Sequence, residues 1–387
     1  MNPIVVVAIA ELLCTSLWFS ANGAAAQLNA AWSIGVSELG WLTNAVQLGF
    51  ILGTLVFAAT GLADRFRASA IFFVSSWIGA FSNLGFALLS RGFEDALAFR
   101  FLVGVAMAGV YPLGMKIVIS WTKGAAGQTL GLLVGMLTLG TALPHGLNAI
   151  GTDFDWRAPV LASSALAVVG GFCILRLGDG PHLPARSAGT AISLGAGFSA
   201  FRVPAFRSAA FGYFGHMWEL YAFWALVPLL LPTSAKSDPA TASALAFLIV
   251  AVGAVGCLLG GALSVRWGSR RIAVAALAIS GLMCAIYPLA ATASAELKLA
   301  ILLVWGAAVV ADSPQFSSLS AQACPGQTVG SALAVMNGIG FAVTVVAISV
   351  VSGQYDVLDE KVSWLLLAGP VAGLMGLVLV GRRRSVT

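Results

Sequence analysis

Apolar stretches of about 20 residues follow one another through nearly the whole chain, and they constrain it more than any other feature. A helix rises about 1.5 Å per residue, so roughly 20 apolar residues cover the roughly 30 Å hydrocarbon core of a bilayer. Segments of this kind are read near residues 4–28, 38–63, 68–90, 95–121, 127–150, 157–177, 205–231, 242–265, 270–292, 297–321, 327–352 and 362–381. The runs are continuous rather than alternating, which excludes a β-barrel. Only 9% of the 387 residues are charged and 59% are hydrophobic, a balance that could not keep the surface of a soluble domain wet. The expectation is an all-α membrane protein with twelve transmembrane helices. The first segment has no basic leader and exceeds a signal-peptide core, so it is expected to stay as a span. Four of the five cysteines, Cys14, Cys173, Cys257 and Cys284, fall inside segments, and Cys324 falls in a turn. They read as structural thiols without a disulfide framework.

Charge sets the orientation. With both termini on the cytoplasmic side, thirteen Lys and Arg residues lie inside and five outside, and Arg100 and Lys116 fall within segments. That bias satisfies the positive-inside rule. Most acids take the outer side. The net charge of +5 therefore reflects topology and gives no evidence for nucleic-acid binding, because the basic residues are scattered over loops. The expected location is the inner (plasma) membrane of a bacterial-type cell.

The segments divide six and six about a Gly-, Ser-, Ala- and Arg-rich stretch. The expected units are residues 1–178, a cytoplasmic linker 179–204, and residues 205–387. Internal similarity supports the division. Gly127-Gln-Thr-Leu-Gly131 opens segment 5 and Gly326-Gln-Thr-Val-Gly330 opens segment 11. Gly104 and Pro112 in segment 4 match Gly306 and Pro314 in segment 10. Parallel six-helix repeats are a transporter architecture.

Five ionisable side chains sit inside the segments: Glu11, Arg100, Lys116, Glu219 and Asp312. They occupy only segments 1, 4, 7 and 10. A charge at bilayer depth is costly unless it faces protein or water, which makes each a functional candidate and suggests one shared polar cavity. Glu11, Thr15, Trp18 and Asn22 share a face of segment 1 by helical spacing, and Gly212, His216, Glu219 and Phe223 do so in segment 7. Helix–helix hydrogen bonding is the competing explanation for such polar stripes. Glu219 and His216 suit proton exchange, although a Glu–His or Glu–Arg pair could also simply join helices. Pro314 follows Asp312 and precedes Gln315, so a kink with freed carbonyls is expected beside an acid. In segment 4, Arg100 and Tyr111 share a face. Lys116 is rotated away, and snorkelling, anion binding and a salt bridge to Glu11 all fit it. His145 reads as structural.

Several pieces together resemble the major facilitator superfamily, over nearly the whole length. Leu62-Ala63-Asp64-Arg65 fits that family's G-x-L-A-D-R-x-G-R-R loop between helices 2 and 3, with the first glycine displaced to Gly61 and Arg67 in place of the second. The loop after segment 8 keeps Gly261, Leu263, Arg266, Gly268, Arg270 and Arg271, with Val265 where the acid belongs. Arg100-Phe-Leu-Val-Gly104 is similar to the family's R-x-x-x-G element, and Asp155-Trp156-Arg157 looks like the start of its sixth helix. The resemblance implies a monomeric alternating-access transporter whose helices 1, 4, 7 and 10 line the cavity. It assigns gating to Asp64, Arg65 and Arg266, with Asp64 near the start of segment 11, and coupling to Arg100.

The function expected is proton-coupled secondary transport of a small polar organic solute, with an organic anion or zwitterion favoured by the mixed charges. Glu219 and Asp312 would be coupling acids with Arg100, and Arg100 and Lys116 would be anion contacts. Multidrug or metabolite efflux by proton antiport is the alternative, motivated by Trp18, Phe223 and Trp224. No Walker-type loop supports ATP drive, no His/Cys spacing supports a metal, and no cofactor is expected. No nucleophile–base pair suggests an enzyme, and segment 5 lacks the Gly-Pro element of the family's drug/proton antiporters.

Overall fold

The structure is a computed structural model that describes residues 2–122, 126–151, 155–182, 194–324 and 329–381. Every described regular element is helical. In chain order the α-helices are α1 (Pro3–Thr15), α2 (Ser20–Gly23), α3 (Ala25–Trp32), α4 (Val36–Thr60), α5 (Leu62–Arg65), α6 (Ala68–Leu89), α7 (Phe93–Met107), α8 (Tyr111–Ser120), α9 (Ala126–Ile150), α10 (Arg157–Leu177), α11 (Leu194–Ser199), α12 (Pro204–Leu230), α13 (Thr233–Lys236), α14 (Pro239–Trp267), α15 (Ser269–Ile286), α16 (Ala295–Ala311), α17 (Ser313–Ala323), α18 (Val329–Leu358), α19 (Ser363–Leu366) and α20 (Ala368–Gly381).

Among the described residues, eight helical stretches are long and apolar enough to cross a membrane, the last running without a long break from Val329 to Val378. The protein is therefore a multi-pass membrane protein. Segments 1, 7 and 10 are helical but fall outside that set. Segment 1 is divided into α1, α2 and α3. Segment 10 is divided at Asp312, where Pro314 starts α17. Segment 7, α12, is 27 residues long but less apolar, and it contains His216 and Glu219.

The breaks have local causes. Pro112 lies in the first turn of α8, after the interruption at residues 108–110, just as Pro314 opens α17. Proline lacks the N–H that a continuing helix needs there and is pre-set for a first turn. Segment 1 breaks with no proline. Thr15 Oγ1 donates to Glu11 O, Ser16 Oγ to Leu13 O and Ser20 Oγ to Leu17 O. Hydroxyls bonding back to carbonyls compete with the helical ladder and bend it.

Small residues set the helix spacing. A β-carbon added at Gly104 on α7 would overlap the Val46 carbonyl of α4, and one at Gly49 on α4 would overlap Phe101 O of α7. The same reciprocal contact recurs between α14 and α16: Gly306 faces Ile249 O and Gly256 faces Ala307 O. Backbones this close are the usual product of small residues at membrane helix interfaces. Two other glycines are required by conformation. Gly61 (φ 64°) ends α4 and Gly268 (φ 83°) ends α14, both in the left-handed range that other residues avoid.

Contacts between the first and second halves of the chain run along two antiparallel helix pairs. In α4–α18, Asn44 Nδ2 donates to Ser349 Oγ (2.8 Å) and Val345 O (3.2 Å), and Gly40 abuts Ser352. In α9–α14, Asn148 Nδ2 donates to Ser243 Oγ at 2.9 Å and Gly146 abuts Phe247. The stretch after α10 is stitched to the first half. Asp179 accepts from the N–H groups of Ser69 (2.7 Å) and Ala68 (3.2 Å), and Gly180 N donates to Ser120 Oγ. A carboxylate there satisfies free donors and suits the helix dipole. Further along, α11 packs on α18 through Gly197 against Ser331 and Val335. The expected opening motif of segment 11 lies largely outside the described residues.

Gly104→Ala and Gly306→Ala are each expected to destabilise the protein by about 1–3 kcal/mol, the usual cost of overpacking. Thermal unfolding in detergent checks this, with Gly261→Ala as the control, since a β-carbon there meets nothing within 4 Å.

Candidate functional site

The break in segment 1 creates the first polar cluster. Leu17 and Trp18 lie between α1 and α2, where the Leu17 carbonyl accepts from Ser20 Oγ and, at 3.5 Å, from Ser20 N, and the Trp18 carbonyl has no backbone donor among the described residues. Arg100, fully buried on α7, supplies donors: its Nη1 lies 3.0 Å from Leu17 O, 2.9 Å from Ser20 Oγ and 3.1 Å from Asn83 Oδ1, and its Nη2 donates to Trp18 O. Asn83 on α6 passes the network on to Val160 O and Ser164 Oγ of α10. No described acid lies within ion-pair distance of the guanidinium, so its charge is met by carbonyl, hydroxyl and amide oxygens. Arg100 thus fixes a broken helix, and Tyr111 is not part of its cluster.

Glu219, fully buried on α12, accepts three hydrogen bonds. Trp305 Nε1 (2.6 Å) and Cys284 Sγ (3.2 Å) donate to Oε1, and Ser280 Oγ (2.9 Å) donates to Oε2. Its carboxyl therefore joins α12 to α15 and α16. Phe223 turns the same way and stacks on Trp305 at 4.4 Å.

His216 and Asp312 form a different arrangement. His216 Nδ1 lies 2.7 Å from Asp312 Oδ1, with both side chains 1% exposed. The contact is close but off-axis for a directed hydrogen bond, and both oxygens of Asp312 and both ring nitrogens of His216 lack aligned partners. Gln315 is buried one turn from Asp312, on α17.

A cavity lies beside this pair. It measures about 50 Å³ for the centres of water-sized spheres, room for a few waters. Its wall draws on α8 (Tyr111, Met115), α9 (Val134, Leu137), α12 (Tyr213, His216, Met217, Leu220, Tyr221, Trp224), α16–α17 (Val310, Ser313, Ser317) and α18 (Asn337, Phe341). An aromatic cluster closes one side of it and joins the two halves of the chain. Trp18 lies 5.1 Å from Phe50, 5.7 Å from Tyr221 and 5.9 Å from Phe341, and Phe50 lies 4.4 Å from Phe341. Beyond this cluster a second cavity of about 40 Å³ contains Asn22, Val36, Gly40, Pro228 and Ser352 in its wall. Asn22 there accepts and donates with Thr43 of α4.

Of the residues picked out in the sequence, Tyr111, His216 and Trp224 border the central cavity and Asn22 borders the second. Asp312 reaches the central cavity through His216. The remaining candidates lie off both walls. Glu11 is fully buried, its carboxylate set against Gly114 of α8 and Phe72 of α6, with no partner among the described residues. It makes no salt bridge to Lys116, whose Nζ donates to Ala63 O at 2.6 Å. Thr15 faces Gly140 of α9. Arg65 and Arg266 are exposed, and the Asp64 side chain, with residues 325–328, lies outside the described residues.

On α12 the cavity face is Tyr213, His216, Met217, Leu220, Tyr221 and Trp224. It shares His216 with the stripe that the polar residues suggested but is otherwise centred one residue, about 100°, round the helix from it. The tyrosines at 213 and 221, eight residues apart, were the available signal. Asn337, Ser313 and Ser317 carried none beyond their polarity. No group of three or more His, Cys, Asp or Glu that could hold a metal occurs among the described residues.

Arg100→Leu is expected to lower stability by about 2–4 kcal/mol, since hydrogen bonds to a charged group are worth about 1.5–3 each. Arg100→Lys should recover only part, because an ammonium lacks the planar fork that spans these acceptors. Glu219→Gln should cost about 1–3 kcal/mol by setting an amide N–H against a donor. Melting in detergent reads all three, and an unchanged melt for Arg100→Lys would contradict the clamp.

Residues 7–348 match the family described as Major Facilitator Superfamily. The structure is similar to a crystal structure of an aspartate-to-alanine mutant of the nucleoside transporter NupG, with a TM-score of 0.73 and 15% sequence identity, over 98% of this chain and 100% of that one. At that identity the likeness speaks for the fold. No curated protein matches the chain in sequence.

Proposed function

The chain belongs to the major facilitator superfamily and is a transporter rather than an enzyme, and from that premise we propose that it moves a small polar organic solute by proton-coupled alternating access. The observation that carries this reading is the central cavity between the two halves of the chain, with the buried His216–Asp312 pair on its border. The pair can share or gain a proton. Gaining or losing a proton alters its net charge in a buried place, where an uncompensated charge is costly. Protonation and the arrangement of α12 against α16 and α17 are then linked.

Twelve crossings in two six-helix units, 1–178 and 205–387 joined by 179–204, are part of this proposal. The matching glycine contacts α4–α7 and α14–α16, and the matching proline breaks before α8 and α17, support it. So do the cross-half hydrogen bonds, which concentrate in α4–α18 and α9–α14, the pairs that would slide or part as access switches. Charge bias supports cytoplasmic termini in an inner membrane, and the self-contained cavity supports a monomer as the working unit.

The coupling role proposed here falls on His216 and Asp312, because Glu219 is held by three donors and Arg100 by four acceptors. The small polar cavity favours a small solute over bulky drugs. In proteoliposomes, Asp312→Asn and His216→Gln are each expected to abolish uptake driven by a pH gradient while leaving solute exchange at equal pH largely intact. Full proton-driven uptake by both variants would overturn the coupling assignment.

A further inference from the structure

The central cavity offers hydrogen-bonding groups but no permanent charge on its wall, and the one imidazole there, that of His216, already faces Asp312. Its wall contains no Lys, Arg, Asp or Glu. The two cations inside the apolar segments are engaged elsewhere, Arg100 by the carbonyls of the broken first segment and Lys116 by Ala63 O. Asp312 faces the imidazole of His216 at 2.7 Å. A carboxylate or ammonium solute entering here would lose its hydration and find no fixed counter-charge to offset that cost.

The wall also has unmet hydrogen-bonding capacity. Trp224 Nε1 and His216 Nε2 have no partner among the described residues, although both side chains are at least 99% buried. The phenols of Tyr111, Tyr213 and Tyr221 and the amide of Asn337 border the same cavity and make no hydrogen bond with any described residue, although only Trp224 and His216 have these polar atoms fully buried. Tyr213 and Tyr221 are 6% and 4% exposed. Buried polar groups are nearly always paired in native proteins, so a cluster of unpaired ones beside a cavity marks where a ligand's polar atoms go. Three phenols and an indole around one space also provide flat apolar faces, and rings offset-stack on such faces.

Resting on the transporter reading above, we infer that the solute is uncharged and carries a planar, hydrogen-bonding ring. Neutrality follows from the missing counter-charge, ring shape from the aromatic wall, and polarity from the unpaired N–H, O–H and amide groups. This moves the expectation away from an organic anion or zwitterion, because the cations on which that expectation rested are bound to backbone.

The test uses the purified full chain in detergent, read by thermal shift and by quenching of tryptophan fluorescence. Uridine, adenosine and nicotinamide serve as neutral planar probes, uridine monophosphate and nicotinate as charged counterparts, and glucose as a neutral solute without a planar ring. At least one neutral planar probe should stabilise the protein, and its charged counterpart should bind at least about tenfold more weakly. Tyr221→Phe and Trp224→Phe should each weaken that binding by about five- to tenfold, the worth of one hydrogen bond. Their unliganded melting and elution confirm folding. Tighter binding of nicotinate or uridine monophosphate, equal binding of glucose, or no binding by any neutral planar probe would overturn the class. The transporter reading is judged separately, by whether Asp312→Asn still uncouples flux of whatever solute is carried.

Discussion

A backbone carbonyl in lipid has no water to turn to, and the break in the first segment of this protein leaves that of Trp18 without a backbone donor among the described residues and that of Leu17 with only Ser20. The grip of Arg100 on Leu17 O and Trp18 O is the interaction on which the surrounding architecture depends. Without it the Trp18 carbonyl would be left an unpaired acceptor at bilayer depth. With it, Trp18 is held where it packs on Phe50, Tyr221 and Phe341, and the aromatic cluster that separates the two cavities is complete. Asn83 and Ser20 extend the same network to α10, so one guanidinium ties α2, α6, α7 and α10 together. A charge placed in the membrane for this purpose needs no acid partner, only enough oxygens around it.

The acids divide by the same accounting of partners. Glu219 is saturated by an indole, a hydroxyl and a thiol, and it acts as a joint between helices. Asp312 has an imidazole at close range and otherwise unmet oxygens. Glu11 has none among the described residues and lies against Gly114. These three carboxyls look alike in sequence, each a lone acid in an apolar segment, and only their neighbours from distant segments tell them apart. The cavity follows from where the polar groups are left over, and it lies beside the His216–Asp312 pair rather than beside Glu219.

Much of the fold was legible in the sequence because membrane helices announce themselves locally. Apolar length located the helical segments, Pro112 and Pro314 marked two of the breaks, and the Gly104/Gly306 match anticipated a packing contact made twice. The site was less legible. The break in segment 1 has no proline, and its signal, Thr15, Ser16 and Ser20 in close succession, is ordinary in membrane helices. Once that helix breaks, Glu11, Thr15, Trp18 and Asn22 no longer share a face, and the spacing argument that grouped them loses its premise. On α12 the polar stripe reached the cavity only through His216, because Glu219 there serves helix contacts while tyrosines and a tryptophan face the open space.

The central claim is that the two cavities, on either side of the aromatic cluster, open alternately and that protonation biases the exchange. Thiol labelling with a membrane-impermeant reagent tests it most directly, using Ser317→Cys in the central cavity and Val36→Cys in the second, each in a background whose native cysteines are replaced. Between about pH 5 and pH 8, the labelling rates at the two positions should move in opposite directions. Rates that rise and fall together, or that stay flat at both positions, would contradict the account.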